Sequence, residues 1–184
     1  MRYYVVQVKT GGEEKYLKLA RRLLLENVTN PDNIAKLIWP RRRLRIRKSG
    51  KERDSLKSIF PGYVFLEADE LDPHIYWILR KTNGFYKFLK NNQNVEALSG
   101  RDLQLLSHFL SFGEVIEKST AYFDENKRIQ VTEGALKGLE GKIVKVDRRK
   151  QRAKVQLSLY DSSFLIDFGF EVLQQLEDHE KHKT

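Results

Sequence analysis

The chain has 184 residues, 40% of them apolar, with no cysteine and a formal net charge of +9. That length can bury one ample core or two small ones; the ten Phe and eight Tyr speak against a disordered chain, and the lack of cysteine excludes a disulfide scaffold. No run approaches the ~20 apolar residues of a membrane helix, and the opening MRYYVVQVKT turns polar too soon for a secretory signal, so a cytoplasmic protein is expected.

The elements follow in order. YYVVQVKT (Tyr3–Thr10) is aromatic and β-branched and reads as a strand that Gly11-Gly12 ends. EEKYLKLARRLLLEN reads as a helix, with Leu17, Ala20 and Leu24 on one stripe and acids in its first turn. Asn30-Pro31-Asp32 is a turn. Leu44 and Ile46 then alternate with Arg43, Arg45 and Arg47, giving one apolar and one basic face. Ser49-Gly50-Lys51 turns this hairpin, and its return strand ends in YVFL, with Pro61 at the start of that run or at a bulge. DPHIYWILRKT is a second helix, capped by Asp72 with Pro73 at its first position. GFYKFLK is a short strand. SGRDLQLLSHFLSF is a third helix, with Ser99 as cap and Leu103, Leu106 and Leu110 as its apolar stripe. Residues 113–126 lack periodicity and read as a linker. From Lys127 only strands follow: RIQVTEG, GKIVKVDR, RAKVQLSLY and FLIDFGFEVLQ. The expected fold is α+β: an antiparallel sheet with packed helices over residues 1–112, then a small all-β barrel over 127–176, and a disordered tail at 177–184.

Charge is unevenly placed. Residues 36–57 hold ten Lys/Arg against Glu52 and Asp54, and residues 142–154 hold seven against Asp147. As charge alone, such runs serve either a solvated surface or contact with a polyanion.

No catalytic constellation is present. Gly138-Leu-Glu-Gly141-Lys142 lacks the Gly and the Ser/Thr of a P-loop and leads into strands rather than a helix. His179 and His182 lie in a charged tail, and His74 and His108 have no ligand companions nearby, so neither a metal nor another cofactor is expected. Gly134, Gly138 and Gly141 instead fit a barrel corner, where glycine can take a positive φ and let backbones approach.

Taken together, YYVVQV, Gly11 with Glu13 or Glu14, IFPGYVFLE and NGFYKFL resemble the NGN domain of the NusG family of transcription elongation factors. Val131, Gly134, Gly138, Gly141 and Val144 are similar in spacing to its KOW motif. The resemblance covers residues 3–176 and implies binding, not chemistry. It implies an apolar depression lined by Tyr3, Phe60 and Tyr63 for the clamp helices of RNA polymerase. The alternative for each of the three is an ordinary sheet-core residue. It also implies approach of Lys9, Lys15 and Arg22 to the non-template DNA strand.

NGFYKFL, the stretch from Glu125 to Val155, and DFGFEVL resemble the LoaP subgroup of specialised paralogues, which implies antitermination and RNA recognition by the KOW barrel. The cations offered to a nascent RNA hairpin are Lys142, Lys145, Arg148, Arg149, Lys150, Arg152 and Lys154. The alternatives are a housekeeping factor whose KOW domain binds Rho or a ribosomal protein, and a ribosome-associated RNA-binding protein. The expected state is a monomer, without membrane contact.

Overall fold

The computed structural model describes residues 1–27 and 35–173; the turn expected at Asn30-Pro31-Asp32 and the tail at 177–184 lie outside the described residues. In chain order the first elements are β1 (Arg2–Val8), α1 (Glu13–Asn27), β2 (Lys36–Ile38), β3 (Arg41–Lys48), β4 (Lys51–Ser58) and β5 (Tyr63–Ala68). Then come α2 (Pro73–Lys81), β6 (Phe85–Phe88), α3 (Gly100–Leu110) and β7 (Val115–Ile116). The last five are β8 (Ser119–Phe123), β9 (Ile129–Glu133), β10 (Ile143–Asp147), β11 (Arg152–Leu159) and β12 (Ser162–Val172).

The chain divides into two units. The first comprises Met1–Arg41 and Lys57–Val115; the second comprises Arg42–Leu56 and the chain from Ile116 onward. The basic hairpin, early in sequence, thus belongs to the second unit.

In the first unit a four-stranded sheet runs in the order β2-β5-β1-β6, with β1 and β5 antiparallel and Val5 opposite Phe65. Strand side chains alternate between faces. Tyr4, Val6, Val8, Val64 and Leu66 share one core with Tyr16, Leu17, Ala20 and Leu24 of α1 and Ile75 and Leu79 of α2. On the other face, Phe65 meets Phe60, which in turn meets Phe109 of α3. Cover on both faces explains why YVFL is apolar throughout. The α2 helix starts where Asp72 accepts bonds from the backbone N–H groups of His74 (2.7 Å) and Ile75 (3.3 Å). Ser99 precedes α3 but makes no side-chain cap bond. The buried face of α3 is Leu105, Leu106 and Phe109, not Leu103, Leu106 and Leu110. Phe60 decides this, because the helix turns Phe109 toward the available ring.

In the second unit five strands follow the order β10-β11-β12-β8-β9 and curl into a half-barrel. Ala153, Val155, Leu157 and Leu159 alternate inward along β11 and are all fully buried. Residues 113–126 are not without regular structure, since β7 and β8 form there. β8 pairs in parallel with β12, placing Ser119 opposite Phe170. A parallel partner about fifty residues away leaves no local signature. The hairpin adds β4 and β3 in a second sheet ordered β4-β3-β7. Ser49 (φ 52°) and Gly50 (φ 77°) make its turn, both left-handed as a two-residue type I′ connection requires. The return strand differs from expectation: β4 ends at Ser58, and Ile59–Gly62 separate it from β5, which lies in the other unit's sheet.

Of the three glycines at the corner, Gly134 (φ 91°) is the most constrained. A Cβ there would stand 2.7 Å from the Ser119 Cα. The buried Ser119 hydroxyl accepts a bond from the Leu136 N–H at 3.0 Å, which fixes the corner. Gly138 is also left-handed, whereas Gly141 sits in a 3-10 turn with no such φ and open space around it, so its corner role is not conformational.

Candidate nucleic-acid interface

The first candidate surface lies in the first unit. Phe60-Pro61-Gly62-Tyr63 forms a tight turn, closed by the Tyr63 N–H to the Phe60 carbonyl at 3.1 Å. Pro at its second position and Gly62 with φ 83° at its third match a type II turn. The Gly62 N–H donates to a carboxylate oxygen of Glu13 at 2.7 Å, so this buried acid ties the start of α1 to the turn. Phe60 is fully buried, with its ring 5.5 Å from Phe65 and 5.9 Å from Phe109, both edge-on. Tyr63 is buried too, while Tyr3 is half-exposed and donates its hydroxyl to Glu67 at 2.9 Å. Burial, with the Glu67 carboxylate beside it, raises the Tyr3 phenol above its usual range. Of the three aromatics, Tyr3 offers surface, whereas Phe60 and Tyr63 are buried; Tyr3 lies opposite Glu67 and Tyr63 opposite Gln7, four residues further along β1.

Lys9, just after β1, and Lys15 and Arg22 on the outer side of α1 are all exposed. Arg22 lies 3.8 Å from Glu26, an exposed pair of little energetic weight.

The second candidate surface lies in the second unit. β10 and β11 pair antiparallel, with Lys145 opposite Lys154 and Asp147 opposite Arg152. Like charges directly opposite are destabilising on a sheet, so this pairing is electrostatically loaded. Lys145, Lys150, Arg152 and Lys154, with Asp147 and Asp167, line a cleft of about 150 Å³. Asp147 accepts the Lys150 N–H at 2.9 Å and shapes the tip, and Asp167 lies 3.4 Å from Lys154. The structure does not bring Lys142, Arg148 or Arg149 into this cleft. Lys142 ends the 3-10 turn before β10 rather than lying on the strand. Arg148 covers the Phe123 ring at 3.8 Å and donates to the Lys127 carbonyl at 2.7 Å, so it holds the end of β8 and the β8–β9 connection to the tip. Arg149 is exposed.

Sequence reasoning missed Arg42. It is 8% exposed, donates its Nε to the Asp167 carbonyl and lies 5.7 Å from the Phe168 ring. Burial pulls its pKa down to about 10; the Asp167 charge opposes this and the Arg152 charge adds to it. Its even position beside Leu44 and Ile46 was the available signal, since one face of a strand shares one parity.

Among the described residues no group of three or more His, Cys, Asp or Glu is placed to hold a metal ion, and no helix is long and apolar enough to cross a membrane.

Residues 1–107 match the family model described as transcription termination factor NusG, and residues 125–157 match the KOW motif. A protein of Streptococcus pyogenes serotype M3 named transcription termination/antitermination protein NusG is 26% identical over 164 residues, covering 87% of this chain and 88% of its own. One of the same name from Borreliella burgdorferi is 23% identical over 183 residues, covering 95% and 98%. The solved structure described as domain interaction in Thermotoga maritima NusG shares the fold, with a TM-score of 0.55 and 17% identity over 91% of this chain and 93% of that one. Fold and matches first define a class: a KOW-bearing regulator of transcription, in two units. With more than half its length matched by the family model, the chain belongs to the NusG family of transcription termination/antitermination factors. Proteins of this family are regulators that bind RNA polymerase and the transcription machinery.

Proposed function

We propose that this chain is a specialised, processive antiterminator of the LoaP type, held on RNA polymerase by its NGN region and recruited by an RNA hairpin through its KOW region. The NGN region would fall within residues 1–112 and the KOW region within 127–176, with β8, from the stretch 113–126 between them, contributing a strand to the half-barrel sheet. The observation that carries the reading is the cleft of Lys145, Lys150, Arg152 and Lys154 at one edge of the half-barrel. Four cations against two acids leave a net positive groove, and phosphate backbones bind such grooves with a marked salt dependence. A folded RNA would be read there chiefly by shape and backbone. Tyr3, on the same sheet as the buried Tyr63, would give an aromatic contact for the polymerase, a residue type typical of interface hot spots. Lys9, Lys15 and Arg22 would follow the non-template DNA strand. The site of action is the cytoplasm.

A second reading is favoured by the names of the relatives: a general factor whose KOW region takes Rho or a ribosomal protein. The test is transcription by purified polymerase past a terminator placed behind a leader with or without an RNA hairpin. Readthrough that needs both the hairpin and an intact Lys150 and Arg152 supports the specialised reading. Leader-independent effects, together with Rho binding by the full chain, would establish the general one.

A further inference from the structure

We infer that the RNA-binding surface is composite: the β3–β4 hairpin and the β10–β11 edge of the half-barrel form one cationic platform for structured RNA, joined at Arg152. This rests on the RNA reading above and extends it to a segment far away in sequence.

Contacts of Arg42, Arg43 and Arg152 join the hairpin to the rest of the second unit. Arg42 is buried against Asp167 and Phe168, and Arg43 pairs with Glu117 at 2.8 Å. Arg152, in the cleft, donates from Nη2 to the backbone carbonyl of Arg45. At Gly169 a Cβ would stand 3.0 Å from the Lys118 Cγ and 3.4 Å from the Arg43 carbonyl oxygen, so the glycine lets β3 approach β12 closely. The hairpin is thus seated beside the cleft by backbone contact, not by side chains alone.

Seating it there is electrostatically unfavourable. Residues 42–56 hold seven basic and two acidic residues, net +5, and 142–154 hold seven and one, net +6. Two elements of the same sign placed side by side repel each other, and a polyanion relieves that repulsion. The hairpin also carries exposed cations at Arg45, Arg47, Lys51 and Arg53; Arg45 is 3.6 Å from Glu52 and the Arg47 Nε donates to the Gly50 carbonyl at 3.4 Å, both within the hairpin. An eight-residue strand spans roughly 26 Å, enough to meet several consecutive phosphates. Arginine predominates, and its planar fork suits phosphate better than lysine's point charge. Together these favour a long, regular polyanion over a small acidic patch on a protein.

The test uses the full chain and a fluorescent RNA stem-loop of about 16 base pairs, a length that shape-reading proteins span. One variant is Arg47→Ala/Lys51→Ala/Arg53→Ala; its positions are exposed, and circular dichroism checks the fold. A second, Arg47→Glu/Arg53→Glu, reverses the charge. A third, Arg149→Ala/Lys150→Ala, alters the half-barrel edge. The triple variant should weaken binding about 10-fold or more at physiological salt and flatten the slope of log K against log salt by about 2 to 3. Charge reversal should weaken it further. If the hairpin variants bind as wild type while the edge variant fails, the composite surface is overturned and the RNA reading stands. Should the wild-type chain ignore the stem-loop, the RNA reading falls and this inference with it. Competition by poly-glutamate as effective as RNA would also overturn it, in favour of an acidic protein partner.

Discussion

Replacing Phe60 with alanine separates a core role from a surface role for the FPGY turn. Phe60 is fully buried and makes edge-on contacts with Phe65 and Phe109, one ring on the sheet and one on α3. Truncating a buried phenylalanine costs about 3 to 5 kcal/mol, through lost transfer energy and the cavity left behind. Each aromatic pair adds about 0.5 to 1.5 kcal/mol beyond its area. We therefore expect a loss near the top of that range, about 4 to 5 kcal/mol. For a urea slope of about 2 kcal/mol per molar, the midpoint of the first unit should fall by about 2 M. The assay is equilibrium urea unfolding followed by tyrosine and tryptophan fluorescence, with the slope checked as well as the midpoint. Tyr3→Phe is the companion: it removes the hydroxyl bound to Glu67 but keeps the ring, and should cost about 1 kcal/mol or less. An unchanged midpoint in Phe60→Ala would refute the reasoning, because the ring would then be available to a partner. If the midpoint falls as expected, weakened polymerase binding by that variant reports lost folding, and Tyr3 becomes the residue to substitute.

Three further outcomes are expected. Tyr16 is buried with its hydroxyl donating to the Leu79 carbonyl at 2.9 Å, and burial raises its phenol well above the ordinary value of 10.0. The folded state therefore keeps a proton that the unfolded chain gives up, so this stability is complete below pH 10 and is lost above it at about 1.4 kcal/mol per pH unit. Tyr16→Phe should flatten that alkaline decline in a pH series of unfolding curves, at a cost near neutrality of about 1 kcal/mol. Gly134→Ala should lower the melting temperature of the second unit more than Gly138→Ala. Both positions are left-handed, at about 1 to 2 kcal/mol each, but only the first drives a Cβ into Ser119. Arg148→Ala should destabilise the second unit in thermal melts, since its guanidinium covers Phe123 and binds the Lys127 carbonyl, whereas Arg149→Ala should leave the melt unchanged.

What could be read from the sequence was what is encoded locally. The α1 stripe of Leu17, Ala20 and Leu24, the Asp72-Pro73 start of α2, and the inward alternation along β11 each follow from a short window with one period or one cap. The parallel strand β8 was not legible, because its partner is β12 and nothing between residues 113 and 126 announces it. The face of α3 was misread for the same kind of reason: Phe60, which meets Phe109 from 49 residues upstream, chooses which side is buried. The candidate site divides likewise. Lys145, Lys150, Arg152 and Lys154 are close in sequence, so their meeting at one cleft could be anticipated from charge. The seat of Arg42 on Asp167 could not, because the two are 125 residues apart.

That separation also sets an order in time. The β3–β4 hairpin leaves the ribosome early, but the strand that receives Arg42 is finished only when Asp167 emerges. At 5 to 20 residues per second, the roughly 110 residues after Leu56 take about 6 to 22 s to make. The first unit has all its strands and helices once Val115 is made, and from then until Asp167 emerges the hairpin has no half-barrel to rest on. A long sequence separation also slows the search once synthesis is done. Cutting the gene after Val115 would freeze the protein at this stage, leaving Arg42 and Leu44 uncovered. The two functional regions are therefore better dissected by point substitution in the whole chain than by truncation.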